Sequence, residues 1–248
     1  MKKIYLTLVL VCTNLQAQIN IYSHRHYDSD KILFKKFTDQ TGIKINVIKG
    51  SADQLIERLI SEGGNSPADI LFTVDAGRLH RAKVAGILQP IESKILSENI
   101  PPSMRDEDDY WFGLTVRARV LVYSKERVTP DQLSTYEDLA NRKWRGKIAV
   151  RSSSNIYNQS LMASIIASNG SRKALSWAKS IRKNMARAPR GSDRDQARAV
   201  AAGLADVAIM NTYYLGILAN SPDAKDREVF KKVSVFFPNQ YDRGTHIN

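Results

Sequence analysis

The feature that most constrains this chain is the alternation of short apolar runs with helical stripes. Ile19 to Tyr22 reads as a strand. Asp28 and Asp30 can cap a helix that carries Ile32, Leu33 and Phe37 on one face and stops at Gly42. Ile43 to Ile48 alternates as a strand, and Ala52, Leu55, Ile56, Leu59 and Ile60 form a helical stripe closed by Gly63-Gly64. Ala68 to Thr73 is the next strand, and Asp75-Ala76-Gly77 opens a helix ending near Gly86. Such alternation implies an α/β chain with a mostly parallel sheet covered by helices.

Trp111 to Tyr123 breaks the pattern with one long extended run, which suits a crossover between two lobes. Ser134 with Glu137 predicts a capping box for a short helix. Ile148 to Val150 reads as a strand, and Ser152-Ser153-Ser154-Asn155 leads into a helix from about Tyr157 to Ala167. Asp193 opens a helix that closes at Gly203. Ala205 to Met210 is a strand followed by Tyr213-Tyr214 and a helix, and Val233 to Phe237 is a last strand. The end, Arg243 to Asn248, looks like a chain entering a new strand.

The N-terminus reads as a cleavable signal peptide over residues 1–17. Lys2-Lys3 precede an apolar stretch, Ile4 to Cys12, and Leu15-Gln16-Ala17 forms the cleavage site. That stretch is too short to span a bilayer, and no later segment is apolar enough, so no membrane insertion is expected. Cys12 is the one cysteine, so the mature chain has no disulfide, thiol chemistry or cysteine zinc site. Export to the periplasm follows. Lysine and arginine number 37 against 25 acidic residues, a net charge of +12. This is read either as a basic surface that aids solubility or as attraction to anionic surfaces or an anion-bearing ligand. The basic residues are scattered without interleaved aromatics, which argues against nucleic acid.

Tyr213-Tyr214 stands where a strand runs out. Two neighbouring phenols in a strand face opposite ways, whereas at a helix entry both can turn toward one point. Tyr27 and Tyr157 lie at similar junctions. Phenolate is a hard anionic ligand suited to a trivalent cation, so four converging phenols suggest iron(III). Against this, the chain has ten tyrosines, and most tyrosines are core or interface residues with a satisfied hydroxyl.

Several segments together resemble the periplasmic iron(III)-binding proteins of ABC importers. They are Ile19-Asn-Ile-Tyr-Ser23 with Arg25-His-Tyr-Asp28, Pro67-Ala-Asp-Ile70, Trp111-Phe-Gly-Leu114, Arg151-Ser-Ser-Ser-Asn-Ile-Tyr157 and Asn211-Thr-Tyr-Tyr214. The resemblance spans the mature chain. It implies an α/β, two-lobed periplasmic-binding-protein fold (type II) with the ligand cleft between lobes. The first lobe would run over 18–114 and the second over 115–238, with 239–248 returning toward the first. It implies that Tyr27, Tyr157, Tyr213 and Tyr214 hold Fe(III), with His26 as an added ligand, and that His24 is a surface residue. Arg117 would offset phenolate charge or hold a synergistic anion such as carbonate. Arg119 faces the same side of its strand, so the choice between the two arginines stays open. Ser153 and Asn155 would support the anion. The implied partner is an inner-membrane ABC permease, and the protein would be a non-enzymatic monomer. Relatives of this kind continue past the region of Gly244, so part of the first lobe is expected to be missing.

Other readings remain. The serines at 152–154 could cradle an oxyanion at a helix start. A truncated product without function is another. A hydrolase is disfavoured because no nucleophile elbow, paired carboxylate motif, phosphate loop or H-E-x-x-H pattern occurs.

Overall fold

A computed structural model describes residues 17–25 and 27–248. Residues 1–16 of the expected signal peptide, Cys12 among them, and the candidate ligand His26 lie outside the described residues. The elements in chain order are β1 (Gln18–Ser23), α1 (Asp28–Thr41), β2 (Lys44–Lys49), α2 (Ala52–Glu62), β3 (Ile70–Phe72), α3 (Ala76–Val84), α4 (Lys94–Asn99), β4 (Arg119–Ser124), β5 (Ile148–Ala149), α5 (Ile156–Asn169), α6 (Ser171–Asn184), α7 (Asp193–Ala201), β6 (Val207–Asn211), α8 (Tyr213–Ala219), α9 (Ala224–Lys232) and β7 (Val233–Phe236). Packing divides the chain into two units. The first ends at Val74 and takes in Arg78–Gln89; the second comprises Asp75–Gly77 and Pro90–Asn248.

The first unit holds a parallel sheet ordered β2-β1-β3. Tyr22, Leu55 and Leu59 form its core, with Ile48, Ala68, Leu71 and Ile87 packed around them. The expected stripe of α2 is buried at Ala52, Leu55, Ile56 and Leu59. The face expected of α1 differs: Ile32 is 70% and Leu33 61% exposed. A buried ion pair sets the helix rotation instead. Arg25 holds Asp30 at 2.9 Å, and Phe34, one turn on, packs against Phe72 with ring centroids 6.5 Å apart.

The second unit holds a sheet ordered β5-β6-β4-β7. β5 and β6 are parallel, but β4 is antiparallel to both its neighbours, so this sheet is mixed where the alternation predicted mostly parallel strands. Residues on β4 alternate between two cores. Leu121 and Tyr123 pack with Trp144, Leu161, Ile165 and Ile181. Val120 and Val122 pack with Ala197, Val200 and Leu218. This alternation puts helices on both faces.

The run expected over Trp111 to Tyr123 is regular strand only at β4, where β6 and β7 supply ladder partners. Just upstream the partner is the C-terminal segment. Arg119 N donates to His246 O and Arg117 N to Asn248 O, each at 2.8 Å, around an antiparallel bridge of Ala118 with Ile247. The capping box expected of Ser134 and Glu137 does not form. Residues Glu137–Ala140 are a 3₁₀ turn, Thr135 Oγ1 accepts from Asp138 N, and the Glu137 carboxylate is drawn to Arg243, Asn169 and Asn239 instead. Helix α6 was not anticipated, although Ala174, Trp177, Ala178 and Ile181 repeat at helical spacing and turn inward.

One buried interaction ties four elements of this unit together. Arg119, at the start of β4, is fully buried, as is Asp193 at the start of α7. Arg119 Nη1 donates to Asp193 Oδ2 at 2.6 Å and to Asn211 Oδ1 at 3.3 Å, and its Nη2 donates to Asn158 Oδ1 at 2.6 Å. The same Asp193 oxygen accepts from Asn211 N at 2.9 Å. β4, β6, α5 and α7 therefore meet at one ion pair. The closing segment meets it through His246, whose Nε2 lies 3.0 Å from Ser160 Oγ on α5. Burial pushes the His246 imidazole down to about 4, and the guanidinium groups of Arg119 and Arg243 add to the shift.

Two outcomes follow. Asp193→Asn leaves the Arg119 charge buried without its counter-ion and should cost about 3–5 kcal/mol of stability. The paired change Arg119→Met with Asp193→Leu should cost far less than the two single losses added. Urea unfolding of the set measures this, and additive losses would contradict the assignment. His246 has a folded pKa below its ordinary 6.5, so the unfolded chain binds the proton first as pH falls. Its contribution is present above pH 6.5, shrinks as pH drops toward about 4, and is worth about 2 kcal/mol after allowing for partial exposure. His246→Gln should flatten that part of the pH–stability curve.

Candidate functional site

In the second unit the candidate residues gather at one end of the sheet. β6 runs out at Asn211, held by Asp193 and Arg119. Thr212 then turns the chain into α8, whose first two residues are Tyr213 and Tyr214. The helical turn brings the neighbouring rings together, with centroids 4.1 Å apart and planes inclined by 31°. In a strand they would have pointed to opposite faces.

Tyr157 is the second residue of α5, and Asn155 is that helix's N-cap. Asn155 Oδ1 accepts from Tyr157 N at 3.1 Å, so this asparagine builds the helix entry. Tyr157 is 8% exposed. The Arg119 guanidinium carbon lies 5.9 Å from its ring centroid, and the next residue, Asn158, is hydrogen-bonded to Arg119 and to Arg151 O. The buried ion pair thus fixes the entry of α5 as well as the exit of β6.

The two arginines that the sequence left unresolved have separate surroundings. Arg119 is committed to Asp193 and Asn158. Arg117 lies with its guanidinium carbon 5.7 Å from the Tyr213 ring centroid, and its backbone pairs both ways with Asn248. Ser153 is exposed. Its neighbours Ser152 and Ser154 bond each other through their hydroxyls at 2.8 Å.

In the first unit Tyr27 occupies the N-cap position of α1, past the carboxyl end of β1. The Arg25 guanidinium carbon stands 5.0 Å from the Tyr27 ring centroid and 4.6 Å from that of Phe72. His24, expected at the surface, is half-buried with Nδ1 3.3 Å from Gly50 O. Among the described residues no three His, Cys, Asp or Glu side chains cluster as a metal site. What sequence reasoning missed is the support beneath them. Asp193 was read as a helix opener alone, and no local pattern pairs it with an arginine 74 residues away.

Residues 65–240 match the profile of the family described as bacterial extracellular solute-binding protein. The chain is 53% identical to iron uptake protein A1 of a Synechocystis strain over 94% of its own length. It spans about 65% of the length of that curated relative. Among solved structures, a Trichodesmium protein (IdiA, FutA) in complex with iron and citrate ligands superposes with a TM-score of 0.91 at 55% identity, covering 94% of this chain and 73% of that one. A ferric binding protein from Campylobacter jejuni superposes with a TM-score of 0.86 at 49% identity, covering 93% and 73%. The α/β fold is therefore that of the ferric-binding periplasmic proteins, and among the described residues no helix is long and apolar enough to cross a membrane. This chain belongs to the family of bacterial extracellular solute-binding proteins.

Proposed function

We propose that the protein binds ferric iron outside the cytoplasm, after export by its N-terminal signal peptide, and delivers it to an ABC-transporter permease. The proposed ligands are the phenolates of Tyr27, Tyr157, Tyr213 and Tyr214, with His26 as a further candidate. The observation that carries the reading is the Tyr213–Tyr214 pair, stacked at 4.1 Å beside Arg117 at a sheet end, in a chain 55% identical to a protein solved with iron and citrate.

The chemistry is consistent with that cargo. A free phenol ionises near pH 10, so at neutral pH it binds only when the metal displaces its proton, as a trivalent ion can. Three or four phenolates on Fe(III) leave the centre neutral or singly negative. Arg117 would offset that charge or hold a synergistic anion such as carbonate. Protons compete for the phenolates, so affinity falls with pH. Reduction to Fe(II) weakens bonds to hard anionic oxygen and supplies a release step. The family is a binding class, and turnover has no part in this reading. An oxyanion site at the 152–154 serines is less well supported, because the Ser152 and Ser154 hydroxyls already bond each other.

The test is a visible spectrum with added chelated Fe(III). The wild-type chain should develop a tyrosinate-to-iron charge-transfer band that reduction bleaches. Tyr213→Phe with Tyr214→Phe keeps both rings and removes both oxygens. It should weaken iron binding by more than about 100-fold, beyond what loss of a supporting group around a metal costs. Undiminished affinity in that variant would sink the assignment.

A further inference from the structure

Helix α6 carries charge that the fold does not use. It contains Arg172, Lys173, Lys179, Arg182 and Lys183, all exposed, and no Asp or Glu. Ala174 and Ile181 are buried and Trp177 and Ala178 half-buried, which fixes the inner face. At 100° per residue Arg172, Leu175, Ser176, Lys179, Arg182 and Lys183 then fall on the opposite arc. Among the described residues no carboxylate stands within ion-pair distance of any of these cations. Other basic stretches differ. Lys143 is paired with Asp138, Lys147 with Asp206, Arg198 with Asp195 and Asp226, and Lys231 with Glu228.

The placement is also unfavourable for the helix itself. Arg172 and Lys173 sit in the first turn, at the positive end of the helix dipole. That turn has no acidic residue, and its N-cap, Gly170, offers no side-chain cap. Arg182 and Lys183 do complement the C-terminal end, but they are extended by further exposed cations. Asn184 Nδ2 bonds the carbonyls of Leu139 and Asn141 at 2.9 and 2.8 Å, which brings the end of α6 beside the turn bearing exposed Arg142 and Arg145.

We propose that the outer face of α6 is an electrostatic docking surface for an anionic lipid bilayer. Charge complementarity selects the sign of the partner. A bilayer is favoured over an acidic protein because the arc is convex, with long flexible cations and one exposed apolar side chain, Leu175 at 53%. A specific protein interface centres on packed aromatic or apolar anchors and is poor in lysine. A lipid surface asks only for clustered cations near its plane. The protein would lie on the membrane surface without inserting.

The experiment is sedimentation of the full chain with vesicles of phosphatidylcholine, with or without 30% phosphatidylglycerol. Expected is binding to the anionic vesicles at least about tenfold stronger than to neutral ones at low salt, abolished in 0.5 M NaCl by screening. Changing Arg172, Lys173, Lys179, Arg182 and Lys183 to Gln should remove that difference. A charge-matched control, Lys35, Lys36, Lys44, Lys49 and Lys225 to Gln, should keep it. If the first variant fails to fold, the two-site reversal Lys179→Glu with Lys183→Glu reads the same surface. Equal loss in α6 and control variants would make net charge the cause and overturn the proposal. So would indifference to phosphatidylglycerol, and retention on immobilised polyglutamate in its place would point to an acidic protein partner.

Discussion

The second unit depends on a charge taken wholly out of water. Arg119 and Asp193 are both fully buried and meet at 2.6 Å. Either charge left unpaired there would cost several kcal/mol. Each therefore holds the other's element in place. Asn158, Asn211 and the backbone of β6 meet further donors and acceptors, Arg151 Nη1 reaches Asp193 Oδ1 at 3.5 Å, and Arg119 Nε has no partner among the described residues. The pair reaches the phenols at one remove: Asn211 precedes Tyr213 by two residues, and Asn158 follows Tyr157 directly. The proposed metal site would need donors held to within fractions of an ångström, and support from groups behind the donors is the usual way to provide that.

The C-terminal residues enter the same network. Tyr136 donates its hydroxyl to Arg119 O and accepts from His246 N. Burial raises the Tyr136 phenol well above the ordinary range, so this tyrosine remains a neutral hydrogen-bond donor. It is the counter-example to the candidate ligands. A phenol wholly enclosed and bonded to backbone serves structure, whereas Tyr213 and Tyr214 remain half-buried beside a cation. Enclosure alone does not separate the two groups, because the candidate donor Tyr157 is itself only 8% exposed.

Charge is used in two distinct ways across the chain. Inside, Arg25 is paired with Asp30 and Arg119 with Asp193, while buried Arg117 lies beside the Tyr213 ring. Outside, α6 presents cations with no acid on the same helix. Desolvated pairs set geometry, while solvated, clustered cations act at a distance limited by salt. The net charge of +12 accordingly says little about the fold and more about what the surface attracts.

Local signals carried much of the architecture. Period-2 and period-3.6 patterns located β1, α2, β6 and the Asn211-Thr-Tyr-Tyr214 junction, because burial of one face is written into residue order. The tyrosines were legible as a set since each follows a strand end. Long-range pairing was not legible. That β4 runs antiparallel between β6 and β7, that Asp30 turns α1 away from Ile32 and Leu33, and that Glu137 bonds Arg243 in place of capping a turn all depend on partners distant in sequence. The same holds for the two arginines of the crossover run. Two residues apart on a strand, they are equivalent by periodicity. Only tertiary packing gave Arg119 a buried carboxylate and Arg117 a place beside Tyr213, because the cost of burying a charge is decided by what lies opposite it in space.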